Sequence, residues 1–444
     1  MDKFIVEKQQ AMQNDIFRMA SVKGPDGGSL IEMFLSLISR PGQDQNTALK
    51  AEIESVLQKQ KSSISMPVEH RRKQGKRLNF FVCADDGRVY TARWSESDFD
   101  LTDIKTWICL PAPPGKSFPP GAPVTAISRK PNQLELFICG DDGHVFTTWW
   151  IAGYGWHYKW HDIGGDFLPG TRISAIARKP EQLDLFASAG DGNVYTCWWS
   201  KEDKLWNGPL GISLKKWKDL GGARHRKSAP AANVAALSRD PESIDIFFCD
   251  DNGQICYKNW TKETYWDKHW TMLGKSPLVP GGLVTAVSRH KGVIDLFACG
   301  TDGKVYTSWS KFSKHQWSGR TQGWKCLLGG FKPGSQVTAV ARAAERLDLH
   351  VIGTGGVVYH LGWSSVDGWG SWSDIGGSLD PNGRVKCVLL DSSTLQLFLA
   401  TRQGKEDEAI ELTTIQGEDE NHKVRFRGNE WKSLGTIIPR TTIY

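Results

Sequence analysis

A chain of 444 residues with 39% apolar and 23% charged side chains has an ordinary globular composition and enough length for a full core. Its 46 glycines and 20 tryptophans exceed what a helical bundle needs and point to many short strands joined by tight turns. A net charge of +6 is too mild for a nucleic-acid signature, and no apolar run approaches the about 20 residues of a membrane-spanning helix.

The first residues, MDKFIVEKQQAMQND, are charged and lack the apolar core of a signal peptide, so a cytoplasmic location is expected, with unconventional release compatible with it. Ile5, Met12, Ile16 and Met19 fall at helical spacing. A Gly-Pro breaker at Gly24-Pro25 follows, then a short apolar helix over Leu30 to Ile38, then a third segment carrying Leu49, Ile53, Val56 and Leu57. Residues 1–62 therefore read as a helical extension with more apolar face than it can bury alone. Docking on the rest of the chain or on a second copy, giving a homo-oligomer, is expected.

From residue 63 to 444 the chain repeats. Seven turn glycines, Gly87, Gly143, Gly192, Gly253, Gly303, Gly356 and Gly404, recur at intervals of 48 to 61 residues. Each copy opens with an alternating strand such as VTAISR (Val124 to Arg129). A second strand such as LDLFACG follows and ends in Asp-Gly or Asn-Gly, the strongest short hairpin signal because both turn positions need φ > 0. A third strand reads VYTxWW. A fourth starts at a tryptophan (Trp107, Trp160, Trp217, Trp270, Trp324, Trp372, Trp431) and runs to Leu/Ile-Gly-Gly. Four antiparallel strands repeated at this period predict an all-β fold, a seven-bladed β-propeller of four-stranded antiparallel blades.

Two regularities support that alignment. Arg129, Arg178, Arg239, Arg289 and Arg342 end the first strand of five copies, and Glu135, Asp184, Asp245, Asp295 and Asp348 sit six residues later in the same five. The spacing predicts a structural, bidentate arginine–carboxylate pair within each blade. Copy one has Lys73 and Asn79 there, and copy seven has Leu390 and Gln396. Cys83, Cys139, Cys249 and Cys299 occupy one repeat position, too far apart to bridge, and read as small buried hydrophobes.

Catalytic signatures are missing. The sequence has no GxSxG, HExxH, GxGxxG or P-loop motif and no CxxC, and His157 with His161 is poor metal spacing on strand text. No metal and no cofactor are expected. The aromatics carry more. Beyond the fourth-strand set, tryptophans close the third strand (Trp94, Trp150, Trp199, Trp260, Trp309, Trp363). Others lie between the third and fourth strands (Trp156, Trp206, Trp266, Trp317, Trp369), in text that reads as exposed loop. An indole beside hydroxyls and amides suits stacking on the C–H face of a sugar.

The unit VTAVSR…LDLFACGTDGKVYTSW…W…LGG resembles the seven-bladed PLL-type lectins of bacteria and, more distantly, the six-bladed fungal fucose-specific lectins. That resemblance implies binding of fucose-like or O-methylated sugars in pockets between neighbouring blades. Carried over by position, the candidate ligand-binding pairs are Trp150 with Trp156, Trp199 with Trp206, Trp260 with Trp266, Trp309 with Trp317, and Trp363 with Trp369. Copy one has Trp94 with Phe99, and copy seven has Glu411 where the strand tryptophan would fall. The expected function is a non-enzymatic, multivalent carbohydrate-binding protein whose partners are glycans or a small-molecule ligand. The alternative is an enzyme, a cyclase or hydrolase of a small natural product, using the propeller channel as a shaped cavity. One deep axial pocket would favour the enzyme, and peripheral tryptophan pockets the lectin.

Overall fold

The computed structural model describes residues 77–84, 86–95, 107–202, 206–207, 217–222, 232–274, 278–311, 316–321, 323–377, 379, 381, 384–389, 394–403, 407–418, 424–426 and 432–436. The chain divides between Gln74 and Gly75, and every described residue lies in the second unit. The helical segments expected in residues 1–62, together with Lys73, Leu390, Phe99 and Trp431, lie outside the described residues.

The described residues form seven antiparallel sheets, one per sequence repeat. The second sheet shows the pattern. Thr125–Ile127 pairs with Gln133–Cys139, which pairs through the Asp-Gly hairpin with Val145–Ile151. The outer strand comes in two pieces, Gly155–Trp156 and His161–Asp162, both paired to Val145–Ile151. The fourth strand of the repeat is thus broken in two by an excursion around Trp160. Sheets three to seven repeat this order, and the first sheet is described for three strands, Arg77–Cys83, Val89–Ser95 and Ile108–Cys109. The one helix among the described residues is a single turn, Ser318–Thr321.

The hairpins turn where the sequence places glycine. Gly303, at φ 74°, sits in the left-handed region, and a Cβ there would collide with the Phe331 backbone carbonyl.

Successive sheets meet through their first strands. The hydroxyls of Thr125, Ser174, Thr285 and Thr338 donate to the carbonyls of Ile173, Val234, Val337 and Val385 at the leading edge of the next sheet. The core is therefore a series of layers, each made by two consecutive sheets. Phe137, Cys139 and Val145 of sheet two bury against Leu183, Leu185 and Cys197 of sheet three. The same layering repeats from the first pair of sheets to the last. Full burial of a side chain such as Phe137 or Leu185 contributes about 1.5–3 kcal/mol.

The tryptophan preceding the second outer piece serves this layering. Trp217, Trp270, Trp324 and Trp372 each donate their indole N–H to a carbonyl of the preceding sheet: Gly164, Leu220, Leu273 and Leu327, at 2.9–3.3 Å. Trp160, Trp217 and Trp270 are buried. The cysteines behave alike. The thiols of Cys83, Cys139, Cys249 and Cys299 are unbridged, buried, and 3.4 Å from a carbonyl of the following connection. Burial pushes Cys83 and Cys139 up to about 11.

Sheet seven departs from the pattern. Its hairpin strands, Thr394–Gln403 and Asp407–Glu418, are longer, so counting from Gly404 misplaces its residues. The partner of Leu395, which corresponds to Leu347 opposite Trp363, is Ile415. Ile415, not Glu411, stands at the strand-tryptophan position.

Candidate functional site

Strand alternation gives each sheet two faces, and the candidate tryptophans sort onto them. Trp150, Trp199, Trp260 and Trp363 lie directly opposite Trp156, Trp206, Trp266 and Trp369 across the third and outer strands. The second group of tryptophans is therefore not in loops: it forms the first piece of the outer strand. All eight are half-buried. Trp309 breaks the series. The residue opposite Trp317 is Ser310, so Trp309 falls one position early and on the other face, with Trp149 and Trp198. Trp317 is only 5% exposed, within the layer between sheets four and five. The pair Trp309 with Trp317 is not assembled.

Each outer-strand tryptophan meets the preceding sheet edge-on. Trp156 contacts Phe81, Trp206 contacts Phe137, Trp266 contacts Phe186, Trp317 contacts Phe247 and Trp369 contacts Phe297, with centroids 5.5–6.0 Å apart. The strand tryptophan above it then faces the preceding sheet's arginine–carboxylate position, and here the interfaces differ.

The arginine–carboxylate pairs form as expected. Arg178 donates from Nε and Nη2 to the two carboxylate oxygens of Asp184 at 2.8 and 3.2 Å, and Arg289 does the same to Asp295 at 2.7 and 3.2 Å. Arg239 with Asp245 and Arg342 with Asp348 follow suit. Arg129 instead gives both groups to Glu135 Oε1. Both partners are buried, and burial pushes the Asp184 and Asp295 carboxyls above the usual range against the pull of their arginines.

The sequence did not show what the arginines do next. The guanidinium of Arg129 lies 4.2 Å from the centroid of Trp199 in the following sheet; Arg178 lies 4.3 Å from Trp260 and Arg289 4.3 Å from Trp363. Arg129 and Arg178 also donate Nη1 to the carbonyls of Pro180 and Pro241 in that sheet. At three interfaces the pair is thus a clasp between sheets, and its cation covers the face that a sugar ring would stack on.

Between the first and second sheets the arrangement is open. Asn79 holds the carboxylate position, and among the described residues no cation covers Trp150. A cavity of about 410 Å³ lies there. Ala92, Ile108, Leu134, Trp150 and Trp156 supply its apolar lining, and Asn79, Thr91, Ser128, Asn132 and Gln133 its polar groups. Among the described residues none of the lining side chains carries a charge. This is a mostly apolar concave site with a few convergent amides and hydroxyls, in the size range of small-molecule sites. Among the described residues no group of three or more His, Cys, Asp or Glu side chains has metal-holding geometry.

Among solved structures the chain is similar to the BP39L lectin from Burkholderia pseudomallei. The identity is 18% and the TM-score 0.64, over 82% of this chain and 97% of that one. This chain shares the fold of that bacterial lectin. It is more distantly similar to AofleA from Arthrobotrys oligospora (11% identity, TM-score 0.47, 70% of this chain and 86% of that one). The fucose-specific lectin from Aleuria aurantia stands at a like distance (13%, 0.41, 67% and 91%). The likeness to a bacterial lectin accords with the fold expected from the repeats. No protein-family model and no curated protein matches the sequence. Among the described residues no helix is long and apolar enough to cross a membrane.

Proposed function

We propose that this chain is a carbohydrate-binding protein built as a seven-bladed propeller over residues 63–444, with an open site between blades one and two. The observation that carries the reading is the cavity against Trp150 and Trp156. It is lined by strands of two adjacent sheets rather than by an axial channel, it has two indoles, and its polar groups are neutral amides and hydroxyls. A sugar ring stacks its C–H face on an indole while its hydroxyls meet Asn79, Asn132 and Gln133. A fucose-like or O-methylated sugar, the class implied by the family resemblance, presents the apolar edge that Leu134 and Ala92 suit. The fold shared with a bacterial lectin supports the same reading.

The expectation of five equivalent pockets narrows. Trp199, Trp260 and Trp363 remain candidate platforms by position, but each is covered by an arginine, and the fifth pair is not assembled. We assign the open site to Trp150 and Trp156 alone. The test is a screen of the intact protein on an array of neutral and acidic glycans, repeated with Trp156→Ala. Binding to neutral glycans that Trp156→Ala abolishes, at an unchanged fold, is the expected outcome. No binding to any glycan refutes the reading.

A further inference from the structure

We propose that the cavity between the first and second sheets takes a neutral glycoside that carries an alkyl or aryl aglycone beside the stacked ring, the apolar group resting on Ile108. The inference rests on the carbohydrate reading above and adds the class of glycoside.

The repeat itself supplies the comparison. Ile108 pairs with Thr91 on the outer edge of sheet one. The residues in the same register place in the other six sheets are His161, Lys218, Thr271, Lys325, Ser373 and Lys432. Six of seven are polar or charged, as a solvent-facing edge position should be. The exception lines the cavity and is 58% exposed.

A lone exposed isoleucine on a protein surface means little. A position that is polar in six sheets and isoleucine in the one that lines the cavity marks a surface that gains by being covered. The occupant follows from the lining. A neutral occupant suits the lining, where no side chain among the described residues offers a charge. A cavity of about 410 Å³ has room for a group beside a sugar ring. The occupant's apolar part points away from Asn79 and Gln133 toward the outer edge, where Ile108 stands.

The test is calorimetric titration of the full chain with methyl α-L-fucoside and 4-nitrophenyl α-L-fucoside, repeated on Ile108→Thr, which installs the residue of the fourth sheet. Ile108 is exposed, so the variant should keep the melting temperature. The expected result is that the nitrophenyl glycoside binds the wild type about tenfold more tightly than the methyl glycoside. In Ile108→Thr the ratio should fall to about twofold or less. Equal binding of the two glycosides by the wild type, or an unchanged ratio in Ile108→Thr, overturns the inference while leaving the carbohydrate reading intact. If neither fucoside binds, and methyl galactoside, mannoside and xyloside also fail, the carbohydrate reading falls and this inference falls with it.

Discussion

The interface between sheets one and two and the interface between sheets three and four are built from the same parts. Both have an outer-strand tryptophan seated on a phenylalanine of the preceding sheet, Trp156 on Phe81 and Trp266 on Phe186. Both have a strand tryptophan directly opposite it, Trp150 and Trp260. At the later interface Arg178 is clamped by Asp184 and lies over Trp260, so the layer is closed. At the first, Asn79 stands in place of the carboxylate and a cavity opens against Trp150. One motif therefore serves two purposes. With an ion-paired arginine the tryptophan becomes part of the wall between sheets, and where Asn79 replaces the carboxylate the tryptophan faces a cavity.

The strongest way to break this contrast is to remove a clasp. Arg178→Ala leaves Asp184 buried without its cation and strips the cover from Trp260. The expected cost is about 3 kcal/mol of unfolding free energy, measured by denaturant titration. Adding Asp184→Asn, which copies Asn79, should recover part of the loss by removing the stranded charge. If Arg178→Ala proves as stable as wild type, the pair is not a structural clasp.

The sixth sheet offers a second break. It carries His350 where the other six sheets carry Phe81, Phe137, Phe186, Phe247, Phe297 or Phe398. His350 is fully buried, with Cys387 Sγ 3.3 Å from its Nδ1 and the His360 ring 5.1 Å away; His360 in turn bonds Asp348, the partner of Arg342. Burial, then the neighbouring His360, pushes the imidazole down to about 3. An unfolded histidine titrates near 6.5. Below that pH the unfolded chain takes up a proton that the folded chain refuses, so stability falls as pH drops from about 6.5 toward 3. His350→Phe should remove that share of the pH dependence. Between pH 7.5 and pH 5 the variant should lose about 2 kcal/mol less than wild type. Parallel curves would show that His350 takes up its proton in the folded state.

A smaller effect sharpens the open side. Trp150→Ala should weaken sugar binding by about 1–2 kcal/mol or more, the scale of an aromatic stack, with little change in melting temperature because the ring is only half-buried. A large loss of stability with binding intact would make Trp150 a packing residue like Trp160. The smallest effect is chemical: Cys83, Cys139, Cys249 and Cys299 should not react with Ellman's reagent until the protein unfolds, since burial raises each thiol. Rapid native reaction at these four would contradict their place in the core.

Much of this was legible in the residues. The Asp-Gly turns set the hairpins, and the Arg and acid six residues apart gave the ion pairs, because both are local relations within one repeat. What was not legible is relational between sheets. Nothing in the sequence says that Arg178 lies on Trp260, since the two meet only when consecutive sheets stack. Register failed in two places for the same reason. Trp309 read as a site residue because it is the only tryptophan at the end of its strand, yet a one-residue offset puts it on the opposite face and leaves Ser310 in its place. Glu411 was misplaced by counting from a turn that sheet seven lengthens. The outer-strand tryptophans looked like loop residues because their strand pieces are two residues long, too short for any periodic signal.

The most direct test of the account compares the two interfaces in one experiment. Wild type, Trp150→Ala and Trp260→Ala are titrated calorimetrically with methyl α-L-fucoside and followed for stoichiometry. The account predicts one site per chain, weakened at least several-fold in Trp150→Ala and kept at full affinity in Trp260→Ala. Several equivalent sites in the wild type, with one lost in each variant, would contradict it, because the arginine-covered tryptophans would then be binding sugar as well.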